Sequence, residues 1–252
     1  MAQWIGATID RQSSRNALLS YAKDLERSNK ELADFAHIAS HDLQEPLRKI
    51  QTFGSRLESK YAGSLEGRGV DYLQRMQNAA NRMQILVQEL LSYSSVTTRA
   101  RPFEETDLQK ILSEVLIDLE VRVEQVDALI DIRPLASIDA DPIQVRQLFQ
   151  NFIGNALKFT VPDRRPHLII EGTHFVNESN AEMYEIRIAD NGIGFDEKFE
   201  KKIFGIFQQL HAQEGYEGTG VGLAICKKII DRHSGQIIVQ SKPNVGLSLI
   251  HI

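Results

Sequence analysis

Apolar residues recur every seven positions near the start of the chain. Leu18, Leu25, Leu32 and Ala39 form one line, and Ala22, Asn29, Ala36 and Leu43 a second, offset by four. Together they make an a/d seam, the pattern of helices packing along one another. It predicts one long helix from about Arg11 to Ser59, roughly 70 Å at 1.5 Å per residue. Asn29 is polar on that seam, where leucine would be more stabilising. A buried Asn at such a position commonly fixes register and a two-stranded state. A parallel homodimer through this segment is therefore expected. Taken alone, Asn29 is also compatible with a weak spot in a solvated helix.

Tyr61–Gly67 holds two glycines and a serine and reads as a turn. A second helix is predicted over about Arg68–Val96, because Tyr72, Leu73, Met76, Ala80, Met83, Leu86, Val87, Leu90 and Leu91 follow a 3.6-residue period. Two helices joined by a short turn form an antiparallel hairpin, and two copies form a four-helix bundle. The pattern changes after Thr97–Pro102, where a domain boundary is placed. Glu104–Thr106 reads as a strand, and Asp107 as the cap of a helix over Leu108–Val123. Leu129–Arg133 reads as a strand. Asp141 and Pro142 supply an N-cap and a first helical residue for the next helix. Strands are predicted over His167–His174 and Met183–Ala189, joined by a polar turn at Asn177–Asn180. A helix over Gly222–His233 and strands over Gln236–Ser241 and Leu247–Ile252 close the chain. The fold class is multidomain: an all-α helical hairpin followed by an α/β sandwich.

Composition narrows the functional classes. A net charge of −5 over 252 residues lacks the basic footprint that nucleic acids and anionic membrane surfaces select. Cys226 is the single cysteine, so no disulfide framework or cysteine-based zinc site is expected. No apolar run is long enough to span a bilayer, and a cytoplasmic location with no membrane contact within this chain is expected.

The chemistry centres on Phe35–Leu47, which contains His41–Asp42 and, after it, Glu45–Pro46. On the heptad register His41 falls at an f position, facing away from the seam. Imidazole is an unprotonated nucleophile near neutral pH and can still donate from its other nitrogen. A lone His–Asp pair would ordinarily be a solvated helix face. His37, one turn earlier, lacks the acidic neighbour and reads as surface. No further ligand follows at fixed spacing to make His37 and His41 a metal site. Pro46 cannot donate to the helix ladder, which predicts a kink just after His41. The stretch resembles the phosphoacceptor box of sensor histidine kinases. The resemblance implies that His41 is the phosphorylated residue and that Asp42 orients its ring and accepts its proton.

Four later patches stand in a telling order. Asn151 and Asn155 share a helix face, in a stretch that continues to Lys158 and Phe159. Asp190–Asn191–Gly192–Ile193–Gly194–Phe195 follows a strand. Phe204–Gly205–Ile206–Phe207 is preceded by Lys198, Lys201 and Lys202. Gly218–Thr219–Gly220–Val221–Gly222–Leu223 opens a helix, where backbone N–H groups suit a phosphate. Each patch alone has a plain reading: a polar face, a tight turn, solvated lysines, a glycine-rich turn. In this order they resemble the ATP-binding domain shared by histidine kinases, Hsp90 chaperones, type II topoisomerases and MutL-type repair proteins.

That resemblance implies ATP and Mg2+ as cofactors. The metal falls to Asn155, phosphate contacts to Lys158, and a place near the base to Phe159. Asp190 would accept a hydrogen bond from the adenine amino group. Asn151, Gly192, Gly194, Phe207, Gly218, Thr219, Gly220, Gly222 and Leu223 would line the rest of the site. The implied organisation is a signalling helix at 11–34, a dimerisation and histidine-phosphotransfer hairpin at 35–98 and a catalytic domain at 99–252. Met1–Asp10 resembles the last strand and exit of a PAS sensor domain, or is a terminal tail with little structure. The implied function is autophosphorylation on His41 and transfer to an aspartate on the receiver domain of a separate response regulator. The rivals are a dimeric adaptor that binds ATP without phosphotransfer and a non-kinase ATPase of the same superfamily. Two departures stand out. Glu45 occupies the position where Asn or Thr commonly supports phosphatase activity. Gly246–Leu247–Ser248 lacks the second glycine and the aromatic usual near the C-terminus, and no ligand role is assigned to it.

Overall fold

The structure, a computed structural model, describes residues 2–61, 67–176, 180, 182–210 and 218–251. It divides into two compact units, Met1–Thr98 and Arg99–Ile252.

The first unit is a pair of helices in mutual contact, α1 (Ala2–Tyr61) and α2 (Gly67–Thr98). Residues 62–66, at the centre of the turn read from the sequence, lie outside the described residues, as do the side chains of Asn29 and His37. One expectation is corrected. Ala2–Asp10 is helical and continuous with α1, not the end of a PAS strand or a loose tail. Its one glycine, Gly6, is tolerated inside a helix at a cost of about 1 kcal/mol. Nothing else in the stretch interrupts the ladder. The helix also runs on across Pro46, where a kink is predicted and where the Asp42 carbonyl loses its intrahelical donor.

Within this unit Ser40 and Leu47 on α1 and Leu73 and Ala80 on α2 are buried. Gln77 sets the local register, reaching Ser55 Oγ at 3.5 Å and Glu58 Oε2 at 3.4 Å. A Cβ on Gly54 would come within 2.9 Å of Gln77 Cγ, so the helices approach closely there.

The second unit is an α/β sandwich. Its strands and helices are β1 (Glu104–Asp107), α3 (Leu108–Asp118), α4 (Glu120–Gln125), β2 (Leu129–Ile132), β3 (Ser137–Ala140), α5 (Pro142–Lys158), β4 (His167–Val176), β5 (Glu182–Asp190), α6 (Gly222–Arg232), β6 (Ile237–Lys242) and β7 (Gly246–His251). A five-stranded sheet has the order β2-β4-β5-β7-β6, with β2 parallel to β4 and the other pairs antiparallel. The apex between β4 and β5, residues 177–179 and 181, lies outside the described residues. Strands β1 and β3 form a separate antiparallel pair.

One face of the large sheet, with Leu168, Ile170, Ile186, Ile188 and Val239, is buried. The core continues through Leu112 and Val115 of α3, Phe149, Phe152 and Ile153 of α5, and Ile225 and Ile229 of α6. The single helix expected over Leu108–Val123 is two. The ladder breaks at Leu119, beyond which the buried stripe Leu108–Ile111–Leu112–Val115 has no successor and Val121 is exposed. Strand β3 is an element the sequence did not announce.

Helix α5 is firmly started. Asp141 accepts from the N–H groups of Ile143 and Gln144, with Pro142 behind it. Asp141 is buried, and Arg232 Nη1 lies 3.1 Å from its Oδ2, which also accepts the Arg101 N–H at 2.9 Å. His233 closes the cluster. Its Nε2 accepts the Asp141 N–H at 3.2 Å and its Nδ1 lies 2.8 Å from the Ile229 carbonyl, while Phe103 stacks on the ring at 4.5 Å. Both contacts are satisfied by the neutral ring with its proton on Nδ1.

Candidate functional site

On α1, His41 and Asp42 are both exposed, their side chains retaining 78% and 74% of full accessibility. His41 Nδ1 lies 3.3 Å from Asp42 Oδ1. A proton on Nδ1 can therefore be held by the carboxylate, leaving Nε2 with its lone pair turned to solvent. One turn on, Glu45 pairs with Lys49 at 2.7 Å. That hydrogen bond and the charge of Lys49 hold the Glu45 carboxyl below the usual range. At about 100° per residue, the exposed apolar side chains Leu43, Ile50, Phe53 and Leu57 lie roughly 120–180° around the helix from His41. His41 can thus stay accessible while that apolar stripe is covered.

In the second unit the last turns of α5 bring Asn151, Asn155, Lys158 and Phe159 to one edge of the fold. Asn151 Nδ2 donates to the Gly222 carbonyl at 3.4 Å, which ties α5 to the start of α6. Lys158 Nζ lies 4.6 Å from the Phe159 ring centroid, and a Cβ on Gly218 would come within 2.6 Å of it. Gln209 Nε2 donates to the Gly218 carbonyl at 2.6 Å. Gly220 and Phe207 both have positive φ, and a Cβ on Gly220 would meet the Gln208 backbone. The Phe207 segment and the glycine loop are therefore adjacent. Thr219 is half-buried in that loop, and Gly222 and Leu223 form the first turn of α6. Residues 211–217, between these segments, lie outside the described residues.

Asp190 ends β5 at the heart of the site. Its Oδ1 accepts from the Gly192 N–H at 2.8 Å and the Leu247 N–H at 3.2 Å. Its Oδ2 takes no part in either bond. Burial pushes the Asp190 carboxyl up to about 6, against the opposite pull of those two N–H groups. Gly192 is required by crowding, since a Cβ would stand 2.2 Å from the Phe159 carbonyl oxygen, which also accepts the Ile193 N–H at 3.0 Å. Gly194 sits beyond it at a φ of 56°.

The structure thus brings together Lys158, Phe159, Asp190, Gly192 and Gly218, and separately joins Asn151 to Gly222. His41 and Asp42 belong to the other unit. The sequence reading missed the part played by Gly246 and Leu247. Gly246 has a φ of 128°, and a Cβ there would lie 1.9 Å from the Asp190 carbonyl oxygen. The visible signal was Gly246 itself, standing at the start of the last strand.

Comparison with known proteins decides the family. Residues 31–99 match the His Kinase A (phospho-acceptor) domain, and residues 140–252 match the family described as histidine kinase-, DNA gyrase B-, and HSP90-like ATPase. The chain belongs to the sensor histidine kinases. Among curated relatives, the phytochrome-like protein Cph1 of Synechocystis sp. is 40% identical over 229 residues, covering 91% of this chain and 30% of the relative. Cyanobacterial phytochrome A of Nostoc sp. is 41% identical, covering 91% and 29%. The chain therefore spans less than a third of the length of these phytochrome relatives. Among solved structures, full-length ShkA in complex with AMPPNP superposes with a TM-score of 0.64 at 22% identity, over 86% of this chain and 45% of that one. The Acinetobacter baumannii histidine kinase AdeS gives 0.54 at 22% identity, over 84% and 96%. At that identity the likeness is one of fold, and it supports the histidine kinase arrangement of helical hairpin and α/β domain.

Proposed function

We propose that the chain is an ATP-dependent protein-histidine kinase that phosphorylates its own His41. The observation that carries this reading is the exposed His41–Asp42 pair, on a phosphoacceptor hairpin that precedes a nucleotide-binding domain. Asp42 holds the Nδ1 proton and Nε2 attacks the γ-phosphorus in line. The Nε2–P bond forms as the bond from phosphorus to the β,γ-bridging oxygen breaks, ADP departs with that oxygen, and Asp42 takes the Nδ1 proton. Most of the catalysis is positioning and charge stabilisation. In the nucleotide domain Asp190 Oδ2 accepts from the adenine amino group, and Phe159 borders the base. Lys158 and the N–H groups of Gly218–Gly222 face phosphate. Asn151, Gly194, Thr219, Leu223 and Phe207 shape the walls. The amide oxygen of Asn155 suits Mg2+, which would neutralise phosphate charge there.

The phosphoryl group would pass to an aspartate on the receiver domain of a separate response regulator. A homodimer is supported by apolar side chains that the single hairpin leaves in solvent, Leu43, Ile50 and Phe53 on α1 and Tyr72 and Met83 on α2. The extra length of the phytochrome relatives supports an upstream sensor domain as the source of input. Among the described residues no helix is long and apolar enough to cross a membrane.

The test is incubation with γ-labelled Mg·ATP, followed by assay for acid-labile, base-stable label in wild type, His41→Gln and His37→Gln. Loss of label in the His41 variant alone is expected. Retained label in that variant, or ATP binding without label in the wild type, would overturn the reading.

A further inference from the structure

The loop that carries Asp190 is held from two sides. On one side stands the turn between β6 and β7. Ser241 Oγ, in a buried residue, accepts the Phe195 N–H at 2.8 Å and donates to the Gly246 carbonyl at 3.1 Å. The Asn244 N–H donates to the Ile193 carbonyl at 2.6 Å. On the other side stands the connection between α5 and β4. The Asn191 side chain accepts the His167 N–H on Oδ1 at 2.9 Å and donates from Nδ2 to the Arg165 carbonyl at 3.0 Å.

Arg164 spans both sides. One guanidinium nitrogen, Nη1, donates to the carbonyls of Asn191 and Asn244, each at 2.9 Å. Its neighbour Arg165 is committed elsewhere, to the Asp127 carbonyl and carboxylate at 2.8 and 3.0 Å. An exposed arginine on a single turn carbonyl would be an ordinary surface tie. Here the two carbonyls belong to the two segments that determine where the Asp190 carboxylate sits. Asn191 is the next residue in the chain. Asn244 lies in the turn that leads through Gly246 to the Leu247 N–H on Oδ1.

We propose that Arg164 is a positioning residue for base recognition. By joining the Asn191 and Asn244 carbonyls, it fixes Asp190 against the Leu247 N–H and so sets how strongly the site prefers a purine with an exocyclic amino group. The proposal rests on the reading of Asp190 as the group that meets that amino hydrogen.

The test measures affinities of the full chain for ATP and for purine riboside triphosphate, which lacks the amino group, in wild type, Arg164→Ala and Arg164→Lys. Wild type is expected to prefer ATP by about tenfold, the effect of one satisfied hydrogen bond. Arg164→Ala is expected to bring that ratio to about twofold, weakening ATP while leaving the analogue within about twofold. Arg164→Lys keeps a cation with several donors but on a flexible stem that does not hold it between the two carbonyls, and is expected to fall between wild type and Arg164→Ala. The ratio is independent of any general loss of affinity. Should Arg164→Ala fail to fold, the ratio in Arg164→Lys decides the matter in the same way. An unchanged ratio, or equal weakening of both nucleotides, would overturn the role of Arg164. A wild type that does not distinguish the two nucleotides would instead overturn the reading of Asp190, and the positioning role with it.

Discussion

In Arg99–Ile252 large apolar side chains close into a core: Phe149, Leu112, Ile153, Ile225 and Ile230 are almost completely buried, while Ile117, Val121 and Val245 remain in water. In the hairpin, side chains of the same kind stand in water. Phe53 keeps 59% of its accessibility and Tyr72 66%, while Leu43, Leu57, Met76 and Met83 are also exposed. Among the described residues, Ser40, Leu47, Gly54, Leu73, Ala80 and Val96 are those the first unit buries. A two-layer sandwich closes its core with its own elements. A pair of helices can cover only one stripe of each, and α1 carries a second stripe that the single chain leaves bare. The chemistry divides in the same way. The exposed His41 imidazole stands on the unit with the incomplete core, and the half-buried Asp190 carboxylate belongs to the unit with the complete one.

The largest effect that tests this division falls on His41. His41→Gln is expected to reduce acid-labile label by at least about a thousandfold while nucleotide affinity stays within about twofold, since no described group of the nucleotide site depends on it. Loss of ATP binding in that variant would break the division. Next comes Phe149→Ala, expected to destabilise the nucleotide domain by about 4 kcal/mol in denaturant unfolding. In the full chain it should leave the unfolding transition of the hairpin where it is.

Asp190→Asn is expected to stabilise the nucleotide-free domain at pH 7 by up to about 3 kcal/mol, while weakening ATP binding. The sign follows from burial. A carboxyl raised from 3.8 to about 6 contributes stability that is present below 3.8 and lost as the pH rises through about 6. Asn does not ionise and escapes that loss. Calorimetry on both forms from pH 4 to 8 would show it, and parallel pH profiles would refute it.

Phe53→Ala is expected to raise the hairpin dimer dissociation constant by about tenfold or more in analytical ultracentrifugation, with no change in the melting of the nucleotide domain. No change in self-association would show that the exposed stripe is not the dimer face. The smallest effect concerns His233, whose pKa is lowered chiefly by burial. A depressed group contributes stability that is present above its ordinary 6.5 and lost as the pH falls through the folded value. The nucleotide domain of His233→Asn should show a flatter stability profile just below pH 6.5.

Much of this was legible along the chain because the signals are local. The 3.6-residue period of α2, the Asp107 and Asp141 caps and Pro142 behind the second of them each act within a few residues. The Asp190–Gly194 run after an alternating strand and the exposed place of His41 on its helix could be read in the same way. Other features were not. The break at Leu119 reflects where the core ends. Strand β3 exists because β1 pairs with it, across thirty or more positions. The helical start at Ala2 overrode a resemblance carried by too few residues to specify a strand.

The sequence by itself determined the division into a helical hairpin and an α/β domain, the exposed His41–Asp42 pair, the order of the later glycine-, asparagine- and aspartate-bearing patches and the family to which they belong. Tertiary structure alone decided what surrounds Asp190. Strand β7 pairs between β5 and β6, which places Ser248 opposite Ala189 and so brings the Leu247 N–H to the Asp190 carboxylate. Arg164 meets Asn191 and Asn244 for a related reason, because the loops at one end of the sheet converge. The physical reason is range. Periodicity, capping and turn chemistry act over a few residues and leave a trace in the sequence. A hydrogen bond between segments distant along the chain depends on the packing of every strand between them.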